Sequence, residues 1–471
     1  MKKSDNFTYK PGGVREMLTI ALPMLVSMTC DTIMIVTDRI FLSRLHPEMM
    51  NASMGGGLTV FMMISFFIGL TGYSTALVAQ YFGADQKQKC PSVITQSVIV
   101  ALCAYIPILV CRPLAHKMFL FMGVPLSQLV YQNLYFDILL YGSIITLIRG
   151  IFSCFFSGIG RTRIVMAASF TAMVVNAVAG YILIFGKFGL PALGIRGAAY
   201  GVLLGGSSGL IVLACAYFKQ NNMLEFNIVN SFKFSREVIS KLLRFGTSPG
   251  LELFLNLLAF NSMVMVFQSH SPITATAATI VLNWDMVSFV PLLGIEIAVT
   301  SMVGRYMGAQ DPDTAHKSVI SGLKVGLIFS TFILILFVGF PWYLVEVFHP
   351  SGTQETFLKS VPMALFMIRA ASLYILVEAL FVVFIGALRG AGDTFWAMFI
   401  SVTLHWSMVF VVVFALRIMR WTPEVGWSFM VAIFLLFSFF VYLRYKSGYW
   451  RNIKVVEPEI LPLHASHNIT Y

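Results

Sequence analysis

The chain has 471 residues, 58% of them apolar and 11% charged, with a mean hydropathy of +0.82. Soluble domains carry about 25% charged residues, so a soluble globule is excluded. The formal charge of +11 does not require a nucleic-acid partner, because lysine and arginine outnumber on one side of the membrane, which places both termini in the cytoplasm.

Apolar runs of about 20 residues read as membrane-spanning helices, and twelve occur, at 17–42, 55–81, 92–112, 134–158, 164–186, 196–218, 242–268, 275–303, 318–340, 361–388, 395–416 and 426–445. Residues 1–16 are polar, and the first run is too long for a cleaved signal peptide. That run carries Pro23, Asp31 and Asp38. A carboxylate in lipid costs about 2.5–3.5 kcal/mol and needs an aqueous cavity or a partner. The seven-residue spacing puts both acids on one face of the helix. The fourth span holds Asp137 near its outer end and Arg149 past its middle, with Asp31 at comparable depth as a counter-charge. The fifth contains Asn176, and a glycine-rich run from Gly186 to Ala199 leads into the sixth.

A polar connector, Lys219 to Lys241, separates two halves. The seventh span has Pro249, Glu252 and Asn256, with the last two one turn apart on the same face. The eighth has Asn283, Asp285 and Glu296, and the tenth has Tyr374 and Glu378, again four apart. Counted from the outer ends, Glu252 and Glu378 lie at similar depth near the midplane. The six cysteines, Cys30, Cys90, Cys103, Cys111, Cys154 and Cys215, lack the paired spacing of a metal site or disulfide framework and read as packing residues.

The two halves echo each other. GLTGYSTALVAQYFGA (Gly69 to Ala84) returns as GIEIAVTSMVGRYMGA (Gly294 to Ala309), and Gly158-Ile159-Gly160-Arg161-Thr162 returns as Gly390-Ala391-Gly392-Asp393-Thr394. Two echoes in the same order imply a duplication. Six helices per half is an even number, so the repeat is parallel, with its pseudo-axis along the membrane normal. The expected organisation is a cytoplasmic segment 1–16, an N-lobe 17–218, a cytoplasmic linker 219–241, a C-lobe 242–445 and a cytoplasmic tail 446–471.

Pro23 and Asp38, the Gly83-Ala84 and Gly308-Ala309 turns, Leu388-Arg389-Gly390-Ala391-Gly392-Asp393-Thr394 and the Gly186 to Ala199 run together resemble the multidrug and toxic compound extrusion (MATE) transporters, over essentially the full length. The resemblance implies two six-helix lobes and the exchange of inward-moving H⁺ or Na⁺ for an outward-moving organic cation. Asp38, Asn176, Tyr374 and Glu378 match family positions, which makes them ion-coupling residues together with Glu252. Three departures stand out: Gly180 where many relatives have a second asparagine or an aspartate, Val202 where a threonine is common, and Leu257 where many have an acid. With two oxygen ligands lost, the N-lobe site reads as protonic, whereas Glu252, Asn256, Tyr374 and Glu378 could hold Na⁺ in the C-lobe.

The expected substrate cavity lies between the lobes, opens inward and draws on Asp31, Asp38, Arg149, Asn256, Asn283, Asp285 and Glu378. Aromatic and methionine side chains would supply its adaptable apolar surface. The expected partners are an organic cation and the lipid bilayer, with no cofactor and no nucleic acid, acting as a monomer in the cell membrane. The alternative is a flippase or exporter of lipid-linked or polar metabolites in the same broader superfamily. Enzymatic motifs are lacking in the spans, and His270 and His405 are isolated and read as packing or rim residues.

Overall fold

A computed structural model of the chain describes residues 10–121, 124–349 and 355–457. Twelve of its helices are long and apolar enough to cross a membrane. In chain order the helices are α1 (Val14–Ser43), α2 (Pro47–Gly72), α3 (Ser74–Gly83), α4 (Lys89–Val110), α5 (Arg112–Phe121), α6 (Leu126–Gly158), α7 (Thr162–Phe185), α8 (Ile195–Tyr217), α9 (Gln220–Phe226), α10 (Arg236–Gln268), α11 (Pro272–Gly308), α12 (Pro312–Gly339), α13 (Pro341–Glu346), α14 (Glu355–Ala391), α15 (Thr394–Val413) and α16 (Pro423–Lys446). The second span is α2 and α3 together, interrupted at Tyr73.

Several helices start well before the expected boundaries, because their first turns are polar yet capped. The Ser271 hydroxyl accepts from Thr274 N at 3.1 Å ahead of α11, and Asp311 accepts from Thr314 N at 2.9 Å ahead of α12. Such caps satisfy backbone donors that a helix otherwise leaves open, so helix continues where hydropathy has ended. By the same logic α10 starts at Arg236 behind Ser235, inside the expected linker.

The connector is docked on the N-lobe. It folds into α9 and a 3₁₀ turn, Ile228–Ser231, with Phe226 buried 5.2 Å (centroid to centroid) from Phe155. Arg161 donates to Asn222 at 2.6 Å and to Glu225 at 2.8 Å, and Lys87 reaches Glu225 at 3.2 Å. Burial alone would raise the Glu225 carboxyl, but these two cations hold it below the usual carboxylate range. Of the tail expected at 446–471, residues 458–471 lie outside the described residues, as do 1–9 of the N-terminal segment. The described part of the tail also packs: Trp450 stacks on Tyr445, and Gln86 of the N-lobe donates to the Glu457 carbonyl at 2.7 Å. The packing role expected of the cysteines holds for the buried Cys30 and Cys90, whereas Cys103, Cys111 and Cys215 are exposed.

The lobes meet through the duplicated motif, and they do so reciprocally. A Cβ on Gly83 would overlap the Arg305 carbonyl, and one on Gly308 would overlap the Gln80 carbonyl, the equivalent residue of the other lobe. Gly69 lies against Pro249 and Gly250, while Gly294 lies against Met24 and Leu25, the stretch that follows the matching Pro23. Within each lobe the second echo closes on the first: Gly158 packs on Thr75 and Val78, and Gly390 on Thr300 and Val303. Small residues let backbones approach this closely, which is where packing energy comes from when lipid supplies no hydrophobic drive. Gly160 and Gly392, with φ of 77° and 96°, turn the chain at matching points through a conformation that side chains disfavour.

Polar contacts reinforce this seal. Buried Glu16 on α1 accepts from Tyr306 Oη at 2.8 Å, from Gly12 N at 2.8 Å and from Arg305 at 3.2 Å. Ser301 donates to the Ser157 carbonyl at 2.6 Å, and Gln80 to the Gly390 carbonyl at 2.8 Å. All of these lie at the end of the bundle that carries the N-terminus. An opening between the lobes at that end, expected from the sequence, is therefore closed in this conformation.

Candidate functional site

The membrane-embedded charges fall into separate groups, one set in each lobe, rather than around a single space between them. In the N-lobe, α7 and α8 approach closely because Gly201 sits against Gly180 and Gly205 against Asn176. This fixes Asn176, whose amide donates to Asp38 Oδ2 at 3.2 Å. Both residues are buried. Asp38 Oδ1 and Asn176 Oδ1 have no hydrogen-bond partner among the described residues. A Cβ on Gly180 would lie 3.5 Å from Asp38 Oδ1, so the position where the resemblance expects a further oxygen ligand does face the carboxylate and carries no side chain. Asp31, two turns away on α1, is engaged differently: Arg149 of α6 donates to it at 2.7 Å, giving the counter-charge that an arginine at that depth requires.

In the C-lobe, α10, α11, α14, α15 and α16 enclose a cavity of about 260 Å³. Glu252, Asn256, Asp285, Tyr374 and Glu378 line it, joined by Glu296, Arg389, Ser401 and His405, while Phe260, Phe289, Phe381, Phe434 and several methionines supply its apolar wall. Tyr374 donates to Asp285 at 2.7 Å and Ser288 donates to Glu378 at 3.2 Å. Asn256 donates to Ser401 at 2.8 Å, which leaves its carbonyl oxygen buried and unpaired. His405 pairs its Nδ1 with the Ser401 carbonyl at 2.7 Å.

Three expectations are corrected by these positions. The substrate set drawn around one inter-lobe cavity divides: Asp31, Asp38 and Arg149 contact N-lobe helices, and Asn256, Asp285 and Glu378 line the C-lobe cavity. Asn283 does not belong to that lining. Two residues from Asp285 on a helix is roughly 200° of rotation, and its amide instead returns to the Thr279 carbonyl at 2.8 Å. The quartet Glu252, Asn256, Tyr374 and Glu378 is likewise split, because Glu252 already has a counter-ion. Arg389 stands 3.0 Å from Glu252 and also pairs with Glu296, whereas Tyr374 and Glu378 associate with Asp285 and Ser288.

Arg389 and Ser288 are the residues that sequence reasoning passed over, and Glu296 was noted as an acid of the eighth span but given no place in the site. Arg389 was visible only as part of a glycine-rich turn after the tenth span, but α14 runs on to Ala391 and so carries it into the lobe. An arginine flanked by Leu388 and Gly390, with unpaired acids on two earlier helices, was the available signal.

The MatE family model matches residues 23–182 and 250–416, one block in each lobe. A probable multidrug resistance protein NorM from Thermotoga maritima is 26% identical over 457 residues, covering 94% of this chain and 95% of that protein. The corresponding NorM of Bradyrhizobium diazoefficiens is 25% identical, covering 92% of each. Among solved structures, a MOP superfamily transporter from Pyrococcus furiosus superimposes with a TM-score of 0.86 at 19% identity, over 96% of this chain and all of that one. A multidrug resistance MATE family transporter in an outward-facing conformation gives 0.85, also at 19% identity and with the same coverage. With a full-length fold match, a sequence match in both lobes and twelve spans in a duplicated arrangement, the chain belongs to the MatE family of membrane transporters.

Proposed function

We propose that this transporter is a multidrug efflux antiporter that exports amphipathic organic cations in exchange for an inward-moving cation. The observation that carries the reading is the charge of the C-lobe cavity, where four carboxylates, Glu252, Asp285, Glu296 and Glu378, face a single guanidinium among phenylalanine and methionine side chains. An aromatic cation gains from both features, through charge and through its ring surface. The relatives named multidrug resistance proteins are consistent with it. The alternative cargo, a lipid-linked phosphate, calls for a cavity with a surplus of bases, and this cavity has a surplus of acids.

Coupling rests on the buried carboxylates that lack a cationic partner. Among the described residues Asp38 meets one amide donor, and the position facing its second oxygen is a glycine, which suits a proton better than Na⁺, an ion that needs several oxygen ligands. In the C-lobe, Asp285, Glu378, Tyr374 and Ser288 form the group that would take a coupling cation, with Glu252 removed from it by Arg389. A ligand drives a change between states only by its differential affinity for them. Exchange therefore requires that cation and substrate favour different arrangements of the two lobes. The excess of basic residues in alternate loops supports cytoplasmic termini, and the conformation described, sealed at that end, would then face outward.

The test is efflux of ethidium from proteoliposomes under imposed H⁺ or Na⁺ gradients, one at a time. The wild type should respond to the H⁺ gradient, and Glu378→Gln should lose at least about tenfold of the driven rate, a loss of about 1.4 kcal/mol of driving interaction. Equal dye movement with and without either gradient would leave a passive pathway and end the antiport reading.

A further inference from the structure

The function proposed above counts Glu252 and Glu296 among the acids of the cavity and has Arg389 neutralise Glu252, but it assigns Arg389 no effect on the substrate. Arg389, in the last turn of α14, is the only arginine or lysine lining the C-lobe cavity among the described residues. Its guanidinium is divided between two carboxylates from two other helices: it lies 3.0 Å from Glu252 Oε2 on α10 and pairs with Glu296 on α11. Glu252 keeps 3% of its side-chain surface and Glu296 10%, whereas Arg389 keeps 24%, so Arg389 is the most exposed side chain of the three. Two carboxylates against one guanidinium leave a single residual negative charge. The unpaired Asn256 carbonyl oxygen, one turn from Glu252, adds an acceptor to the same wall.

We propose that Arg389 is the charge-selectivity residue of this cavity: a built-in cation that cancels one of the two adjoining carboxylates and so biases the site toward monocationic over dicationic substrates. The proposal rests on the organic-cation reading and goes beyond it by assigning the limit on substrate charge to one side chain. A planar guanidinium engages carboxylates directionally and stays charged at any working pH, so its effect does not depend on protonation. In a cavity walled largely by phenylalanine and methionine side chains, one unit of charge acts strongly over several ångströms. The second cationic centre of a dication entering this wall would meet a guanidinium in place of a free carboxylate.

The matched probes are ethidium and propidium, which share a phenanthridinium ring and carry one and two positive charges. Both are titrated by fluorescence against the purified full-length protein in detergent, and the ratio of their Kd values is compared between variants. Arg389→Gln should shift the ratio toward propidium by about tenfold, equivalent to about 1.4 kcal/mol. Glu296→Gln, which leaves Arg389 with one carboxylate, should shift it the other way, and Arg389→Lys should stay close to the wild type. A ratio unchanged in both Arg389→Gln and Glu296→Gln, with ethidium still bound, overturns the assignment while the organic-cation reading stands. Should Arg389→Gln fail to fold, Glu296→Gln decides alone. Failure of the wild type to bind either dye overturns the organic-cation reading and this assignment with it.

Discussion

Among the described residues Asp38 has a single hydrogen-bond donor, the Asn176 amide, and its other oxygen faces Gly180. The isosteric Asp38→Asn change removes the charge and keeps the volume. It should leave membrane insertion and detergent-solubilised stability close to wild type while reducing gradient-driven ethidium efflux at least about tenfold. Full activity in that variant would take Asp38 out of the coupling path. The sequence alone marked Asp38 and Glu378, because an acid within an apolar run is conspicuous. It read Asp31 as the counter-charge of Arg149, and the two do pair at 2.7 Å, but it could not say that Glu252 was also neutralised. Asp31 and Asp38 look alike on one helix, seven residues apart, yet only Asp31 has an arginine opposite it. Glu252 and Glu378 look alike across two helices, yet among the described residues only Glu252 does. Each partner comes from a helix more than a hundred residues away; depth along the spans pointed to the first pair, and no local pattern recorded the second.

At the scale of elements, the glycine turns do their work as backbone contacts between helices. Gly83 and Gly308 sit where α3 and α11 cross, each against a carbonyl of the other lobe. Adding side-chain atoms at such a crossing costs about 1–3 kcal/mol when the neighbour cannot yield, and here the neighbour is backbone. Gly83→Val should therefore lower thermal stability and push the crossing apart. The measurement is disulfide cross-linking of cysteines placed at facing positions on α3 and α11, whose yield should fall; an unchanged yield would show that the crossing can absorb the extra volume. The same element view explains the misplaced boundaries. Hydropathy reports where helices leave the apolar layer, whereas capping by Ser235, Ser271 and Asp311 reports where they begin.

For the whole molecule, the contacts that close the N-terminal end tie the lobes through few side chains. Glu16 is the central one, with Arg305 and Tyr306 reaching it across the lobe boundary and Gly12 N donating to it from its own segment. Breaking one partner of a buried ion pair costs about 3–5 kcal/mol, because the other charge stays behind unpaired. That energy is available only in the sealed arrangement, so Glu16→Gln should shift the population toward one in which the lobes part at this end. Pulsed electron-spin distances between labels on the N-terminal ends of the two lobes should lengthen or gain a longer component. A distribution identical to that of the wild type would show that the glycine crossings alone hold the seal.

What the sequence determined by itself was everything that repeats or that depends on composition: twelve spans, two halves, their parallel relation, the family and the short list of acids that lipid would not tolerate. Periodicity, hydropathy and duplication are written locally, or as one segment compared with another, and so can be read without coordinates. Beyond the Asp31–Arg149 pair, which depth along the spans had indicated, the tertiary structure alone decided how the charges are shared, because pairing depends on which helices cross and at what depth. It divided one expected cavity into an N-lobe carboxylate site and a C-lobe chamber, turned Asn283 away from that chamber and brought Arg389 into it. It also closed the end expected to be open, since reciprocal glycine contacts between lobes arise only once the two copies of the motif lie against each other.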